Sequence, residues 1–152
     1  MIDRQSEILR DALRKHVNAL AVDIGPRTPA TPYSLVRAAN YITSVFESAG
    51  LSVREQNYEY DDQRVTNLLA TVPETVGATA YYVVGAHYDT VPSTPGADDN
   101  ASAVAVMLEL AGRVRQARLQ TPVLFAAFTL EEPPALLDRS SRQSDLRSQL
   151  PE

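Results

Sequence analysis

A strand, a loop, a helix and a second strand are predicted in this order between residues 80 and 130, and this order constrains the fold more than any other feature. The run Ala80–Ala86 is apolar and rich in Tyr and Val, which is typical of a buried strand. Prolines and a glycine in residues 92–96 predict a loop. Apolar residues recur at helical spacing from Ala101, and Val123–Leu130 is an unbroken apolar run. A β-α-β unit of this kind joins two parallel strands by a right-handed crossover.

Acidic residues and one histidine stand at the junctions of this unit. The residues are His87, Asp89, Asp98, Asp99, Glu131 and Glu132. Asp98, Asp99 and Asn100 are also typical helix N-cap residues. Ligands bind outside the carboxyl ends of parallel strands, so these side chains are expected to meet at one sheet edge. Because clustered carboxylates repel one another, the pattern predicts a divalent metal ion among them.

Composition narrows the function classes. A length of 152 residues favours one domain, and a net charge of -5 with no basic cluster argues against nucleic acid as a partner. The chain has no cysteine, so any metal must be held by histidine and carboxylate. It shows no apolar signal-peptide core and no run of membrane-spanning length, which favours the cytoplasm and no membrane partner.

The first half of the chain is predicted to be scaffold, with two helices followed by two strands. A turn at Gly25–Pro32 separates the helices, and Gly50 caps the second. Leu51–Tyr60 and Arg64–Val72 alternate as strands of a hairpin around two aspartates. The opening helix carries His16, which we expect at the surface or at its boundary.

Three sequence blocks resemble the di-zinc aminopeptidases of the bacterial leucyl aminopeptidase and aminopeptidase Y type. The blocks are GAHYDTVP, PGADDNAS and AAFTLEEPP, with a looser match at IGPR (residues 24–27). The resemblance covers about Leu20 to Pro134. It implies an α/β fold with a mixed, mainly parallel sheet flanked by helices, and peptide hydrolysis by a metal-activated water. The substrate would be a peptide.

The same resemblance implies roles for individual residues. His87 and Glu132 would be zinc ligands, and Asp98 would bridge two zinc ions. Asp89 would support the histidine, and Glu131 would be the general base. An acid beside a ligating histidine fixes its tautomer, and a bridging carboxylate holds two metals close enough to share one hydroxide.

The chain departs from the family pattern in two places. Ala103 stands where the family usually has glycine, and residues 135–152 form a polar tail unlike the family sequence. The family continues beyond this point with further strands, another acidic ligand and a second histidine. We therefore expect residues 1–134 to be the N-terminal part of such a domain, short of the usual three ligands per zinc and inactive alone. An exposed strand edge would favour self-association.

Other functions fit parts of the same pattern. A non-catalytic remnant could bind peptide or a protein partner. Related di-zinc carboxypeptidases and deacylases share the HYDTVP string, but usually with a longer interval than the eleven residues from His87 to Asp98. The related single-zinc glutaminyl cyclases share the fold. A serine hydrolase is disfavoured because the chain has no G-x-S-x-G motif.

Overall fold

The computed structural model describes residues 3–117, 119 and 121–133. A mixed four-stranded sheet with the order β1-β2-β4-β3 forms the centre of this region. The described elements are α1 (Arg4–Val17) with a π-helical continuation (Asn18–Ile24), α2 (Pro32–Ser48), β1 (Ser52–Tyr60), β2 (Gln63–Thr71), a 3₁₀ turn (Pro73–Thr75), β3 (Tyr82–His87), a π-helical segment (Ala97–Ser102), α3 (Ala103–Gln116) and β4 (Val123–Phe128). The predicted tail 135–152 lies outside the described residues.

The hairpin predicted from the alternating pattern is confirmed. β1 and β2 pair antiparallel from Ser52↔Thr71 to Tyr60↔Gln63. The turn residues Asp61 and Asp62 have positive φ angles of 50° and 58°. Consecutive positive φ angles are typical of the tight turn whose twist matches a hairpin, and aspartate tolerates them better than most residues.

The predicted β-α-β unit is also confirmed. β3 and β4 pair parallel, from Tyr82↔Val123 to His87↔Phe128, and α3 connects them. β4 also pairs antiparallel with β2, with Leu68 opposite Ala127. The chain therefore has the predicted α/β class with a mixed sheet. Among the described strands β3–β4 is the parallel pair and the other two pairs are antiparallel, because the hairpin joins the sheet in the antiparallel direction. The described sheet is therefore mixed but not mainly parallel.

The main core lies between the sheet and helices α2 and α3. Its buried apolar side chains include Leu35, Ile42, Phe46, Leu68, Val104, Met107, Leu108, Ala111 and Phe125. The rings of Phe46 and Phe125 pack with their centroids 6.0 Å apart. Packing α3 against the strands that flank it brings the start of the helix to the carboxyl ends of those strands, where the candidate site lies.

His16 is buried, so the prediction of a surface or boundary position was wrong. The residue is 7% exposed, and its Nδ1 lies 2.6 Å from the Tyr41 hydroxyl oxygen. Its Nε2 lies 3.1 Å from Glu109 Oε1. One histidine thus links α1, α2 and α3, because two polar partners on neighbouring helices satisfy both ring nitrogens.

The prediction of a buried strand at Ala80–Ala86 is wrong. β3 is an edge strand of the described sheet, and Tyr82 and Val83 on it are exposed. Within the described residues, every helix is too short or too polar to cross a lipid bilayer.

Candidate metal centre

Three segments meet at the carboxyl ends of β3 and β4. His87 is the last residue of β3, and the π-helical segment Ala97–Ser102 lies before α3. Glu131 and Glu132 follow β4 after Leu130, which is buried and has a φ of 62°. This left-handed residue turns the chain where the strand stops. The predicted convergence at one sheet edge is therefore seen.

His87, Glu131 and Glu132 form the group in the described region whose geometry suits a metal ion. One ligand atom from each lies within 4.8 Å of the others. His87 Nε2 is 3.7 Å from Glu131 Oε2. An imidazole nitrogen and carboxylate oxygens are zinc ligands when thiolates are absent.

Asp89 lies behind the histidine and is buried. Its Oδ2 accepts a hydrogen bond of 2.9 Å from the backbone N–H of Glu132. Its Oδ1 lies 3.6 Å from His87 Nδ1, and both of these buried atoms lack a hydrogen-bond partner in the described region. The Asp89 carboxylate thus faces the ring nitrogen that points away from the acidic group, which is the arrangement that orients a ligating histidine.

Asp99, rather than Asp98, stands beside His87. Asp99 Oδ1 lies 3.0 Å from His87 Nε2, whereas the structure places no ion pair between Asp98 and this histidine. Asp99 leaves the helical conformation, with φ -109° and ψ 94°, and the peptide bond to Asn100 is cis. Two adjacent aspartates are equivalent in a sequence pattern, so only the backbone conformation distinguishes them.

The predicted N-cap role of Asp98, Asp99 and Asn100 is wrong. The π-helical segment starts after Gly96, and neither it nor α3 has a side-chain cap hydrogen bond. Gly96 has a left-handed conformation with φ 59° and ψ 52°. The aspartate side chains are therefore not used to satisfy the first backbone N–H groups.

The electrostatics of the site favour a cation. Burial lowers the pKa of His87, but the charges of Asp89, Glu131 and Asp99 outweigh it and raise this pKa to about 9. Burial and the charge of Asp99 raise the pKa of Glu132. An excess of negative charge around one imidazole fits a bound divalent ion, so the donor set and its charge both suit zinc.

A second layer of polar contacts holds the segment after β4. The Tyr58 hydroxyl donates to the Thr129 carbonyl oxygen at 3.0 Å, and the Thr129 N–H donates to Asn67 Oδ1 at 3.0 Å. Asn67 Nδ2 also donates to Gln56 Oε1. The sequence interpretation missed these residues, because a polar residue within a strand pattern gives no sign of its partner.

The fold is α/β with a mixed sheet, and the candidate metal centre lies at the carboxyl ends of β3 and β4. Comparison with family descriptions matches residues 67–139 to "Peptidase family M28". This region, which holds every residue of the candidate centre, is thus similar to family M28.

Curated relatives agree with this assignment. The chain is 37% identical over 132 residues to Escherichia coli protein YfbL, covering 82% of this chain and 40% of the relative. It is 32% identical over 158 residues to a probable zinc metalloprotease of Pyrenophora tritici-repentis, covering 86% of this chain and 36% of the relative. The chain therefore spans about two fifths of the length of these relatives.

Solved structures give the same fold. A glutaminyl cyclase of Porphyromonas gingivalis matches with a TM-score of 0.69 and 29% identity, over 80% of this chain and 45% of that one. A leucine aminopeptidase precursor of Bacteroides thetaiotaomicron matches with a TM-score of 0.68 and 25% identity, over 80% and 47%. Both kinds of enzyme were among the expectations drawn from the sequence.

Proposed function

We propose that this chain carries a zinc centre for peptide hydrolysis of the aminopeptidase type. The observation that carries the proposal is the meeting of His87, Glu131 and Glu132 ligand atoms within 4.8 Å, in a region similar to family M28. The substrate class is a peptide with a free amino terminus, and the cofactor is zinc.

Our assignment of ligands revises the sequence prediction at one position. His87 through Nε2 and Glu132 through a carboxylate oxygen are proposed to hold zinc. Asp99 takes the place predicted for Asp98, because its Oδ1 lies 3.0 Å from the same Nε2. Asp89 keeps its predicted role, since its Oδ1 faces His87 Nδ1 and would accept the proton that this nitrogen carries.

Glu131 is proposed to be the general base. Its side chain is 51% exposed and belongs to the group of His87, Glu131 and Glu132, so it can reach both the metal site and the solvent. When bound, zinc supplies the positive charge that lowers the pKa of a water and polarises a peptide carbonyl. Glu131 would take the proton of the attacking water and pass it to the leaving amine, a role that contributes roughly 10²–10⁴-fold to rate. Asp89 Oδ2 accepts a hydrogen bond from the Glu132 N–H and holds the backbone of Glu132 in place. The Glu131 side chain is not held by this contact and can move a proton.

Zinc titration by calorimetry tests the ligand assignment. We expect Asp99→Asn and His87→Ala to weaken zinc binding by at least about tenfold, the lower end of what losing an outer partner of a metal site does. Asp98→Asn is the matched control and should change the affinity by less than about twofold. A loss of zinc affinity in Asp98→Asn as large as that in Asp99→Asn would contradict the assignment.

A hydrolysis assay tests the chemistry. The zinc-loaded chain and its Glu131→Gln variant are compared on an aminoacyl anilide and a short peptide. Glu131→Gln should keep the zinc affinity. Hydrolysis by the zinc-loaded chain would contradict the expectation that residues 1–134 are inactive alone, and Glu131→Gln should then abolish that hydrolysis. Zinc binding that is unaffected by every one of these substitutions would overturn the proposal as a whole.

A second function is favoured by one observation, the match to a glutaminyl cyclase at a TM-score of 0.69. A peptide with N-terminal glutamine separates the two. Shortening of the peptide supports the aminopeptidase, whereas release of ammonia without cleavage supports the cyclase.

A further inference from the structure

Arg27 is fully buried and binds only backbone oxygens. Its exposed fraction is 0%. Nε donates to Tyr88 O at 2.6 Å, Nη2 to Gly96 O at 3.1 Å, and Nη1 to the carbonyl oxygens of Leu20, Gly25 and Pro95, each at 2.8 Å. Carboxylates are the usual partners of a buried arginine, but no described carboxylate lies within ion-pair distance of it.

Such a cation is expensive to bury, at several kcal/mol for an ion removed from water. Burial lowers the pKa of Arg27 to about 10, although the charge of Asp89 opposes this shift, so the guanidinium stays charged at neutral pH. A methionine or leucine would avoid that cost but would leave five carbonyl oxygens without these donors. The role of the arginine therefore depends on which segments its contacts join.

The acceptors of Arg27 stand at both ends of the loop between the candidate ligands. Tyr88 directly follows His87, and Gly96 comes three residues before Asp99. The middle of the loop is fixed to the same residue, because Arg27 N donates to Thr90 Oγ1 at 3.0 Å and Thr90 N donates to Arg27 O at 2.9 Å. One side chain thus sets how far the two ends of the loop lie apart.

The planar guanidinium suits this task better than another cation would. It presents five N–H donors in a rigid fork, whereas lysine has three donors on one flexible atom. The guanidinium binds the carbonyl oxygens of Tyr88, Pro95 and Gly96 at once, together with those of two residues before Arg27. A small shift of this fork would move Asp99 relative to His87.

We propose that Arg27 is a positioning residue that fixes the relative placement of His87 and Asp99 through the backbone of residues 88–96. It touches neither substrate nor metal and acts through the loop. The inference rests on the proposed zinc centre. It adds to that centre a residue that is distant from the ligands in the sequence.

Arg27→Lys is the main test, because it keeps the charge and removes the fork. Arg37→Lys is the matched control, since Arg37 is exposed and its guanidinium lies 3.3 Å from Asp23 O and 6.0 Å from the centre of the Tyr33 ring, away from the loop. Circular dichroism first establishes that each variant is folded. We expect the zinc affinity of Arg27→Lys to fall at least tenfold, about the effect of losing an outer partner of a metal site, and that of Arg37→Lys to change less than about twofold.

Cobalt(II) absorption gives the readout that separates positioning from general destabilisation. At saturating cobalt, a folded variant that is merely less stable has the wild-type ligand geometry and spectrum. Arg27→Lys should instead show visible bands changed in position and intensity, because the ligands are displaced. A wild-type spectrum and affinity in folded Arg27→Lys would overturn the proposal while leaving the zinc centre intact.

Thr90→Val tests the positioning proposal if Arg27→Lys does not fold. This variant keeps the arginine and removes the hydroxyl that accepts from Arg27 N. We expect weaker zinc binding and the same spectral change, and an unaltered affinity and spectrum would overturn the proposal. Failure of the wild-type chain to bind zinc or cobalt would instead contradict the proposed function, so the two failures are distinguishable.

Discussion

Replacing Gly96 by alanine perturbs the loop between the candidate ligands at its most crowded point. Gly96 has φ 59° and ψ 52°, a left-handed conformation that L side chains rarely adopt. A Cβ at this position would press against Thr90 Cγ2 and lie 2.5 Å from Asp99 O and 3.0 Å from Arg27 Nη2. Two of these contacts are with groups that hold or form the candidate site, so the extra methyl group cannot be accommodated by turning a free surface side chain.

Two contributions determine how much Gly96→Ala lowers the free energy of unfolding. The left-handed conformation costs a residue with a Cβ about 1–2 kcal/mol. Forcing an extra carbon into a packed interior costs typically about 1–3 kcal/mol more. We therefore expect Gly96→Ala to lower the free energy of unfolding by about 2–5 kcal/mol.

Gly77→Ala separates the two contributions. Gly77 has φ 83°, and a Cβ there would meet nothing within 4 Å. Gly77→Ala should lower the free energy of unfolding only by the conformational cost, about 1–2 kcal/mol. Urea unfolding measures both variants, and zinc titration measures whether the movement reaches Asp99. Equal losses of stability, with zinc binding unchanged in Gly96→Ala, would refute the reasoning from close contact.

Three further predictions concern the core, the buried histidine and the segment after β4. Phe125→Ala should lower the free energy of unfolding by about 3–5 kcal/mol, because Phe125 is 0% exposed at the centre of the core; a loss below about 1 kcal/mol would contradict its central position. Tyr41→Phe should lower it by about 1–3 kcal/mol in urea unfolding, since His16 Nδ1 loses its partner. Asn67→Leu leaves the Thr129 N–H without its acceptor and should speed hydrogen exchange at that amide and weaken zinc binding; unchanged exchange would contradict the contact.

Local patterns predicted the elements that make up the fold. The alternation on either side of Asp61 and Asp62 predicted a hairpin, because adjacent residues tolerant of positive φ permit one tight turn and the strand register follows from it. The β-α-β unit was predictable for a similar reason. A strand, a helix and a strand that each bury an apolar face have few arrangements, and the right-handed crossover selects among them.

The burial of polar residues was not predictable in the same way. Charge favours the surface for arginine, and Arg27 is buried only because backbone oxygens from separate segments surround it. Backbone oxygens have no residue type and leave no mark in a sequence. His16 shows the same difficulty, since its partners Tyr41 and Glu109 are 25 and 93 residues away in the chain.

Both local sequence patterns and contacts between distant residues bear on which aspartate lies in the candidate site. Asp98 and Asp99 have the same side chain, and the cap pattern treats them alike. The structure distinguishes them through the backbone, since the chain enters its π-helical segment from a left-handed Gly96 and leaves the helical conformation at Asp99. Gly96 is itself held by Arg27, which lies 69 positions earlier. A motif of adjacent acids therefore predicts a metal site, while in our proposal a distant arginine decides which acid enters it.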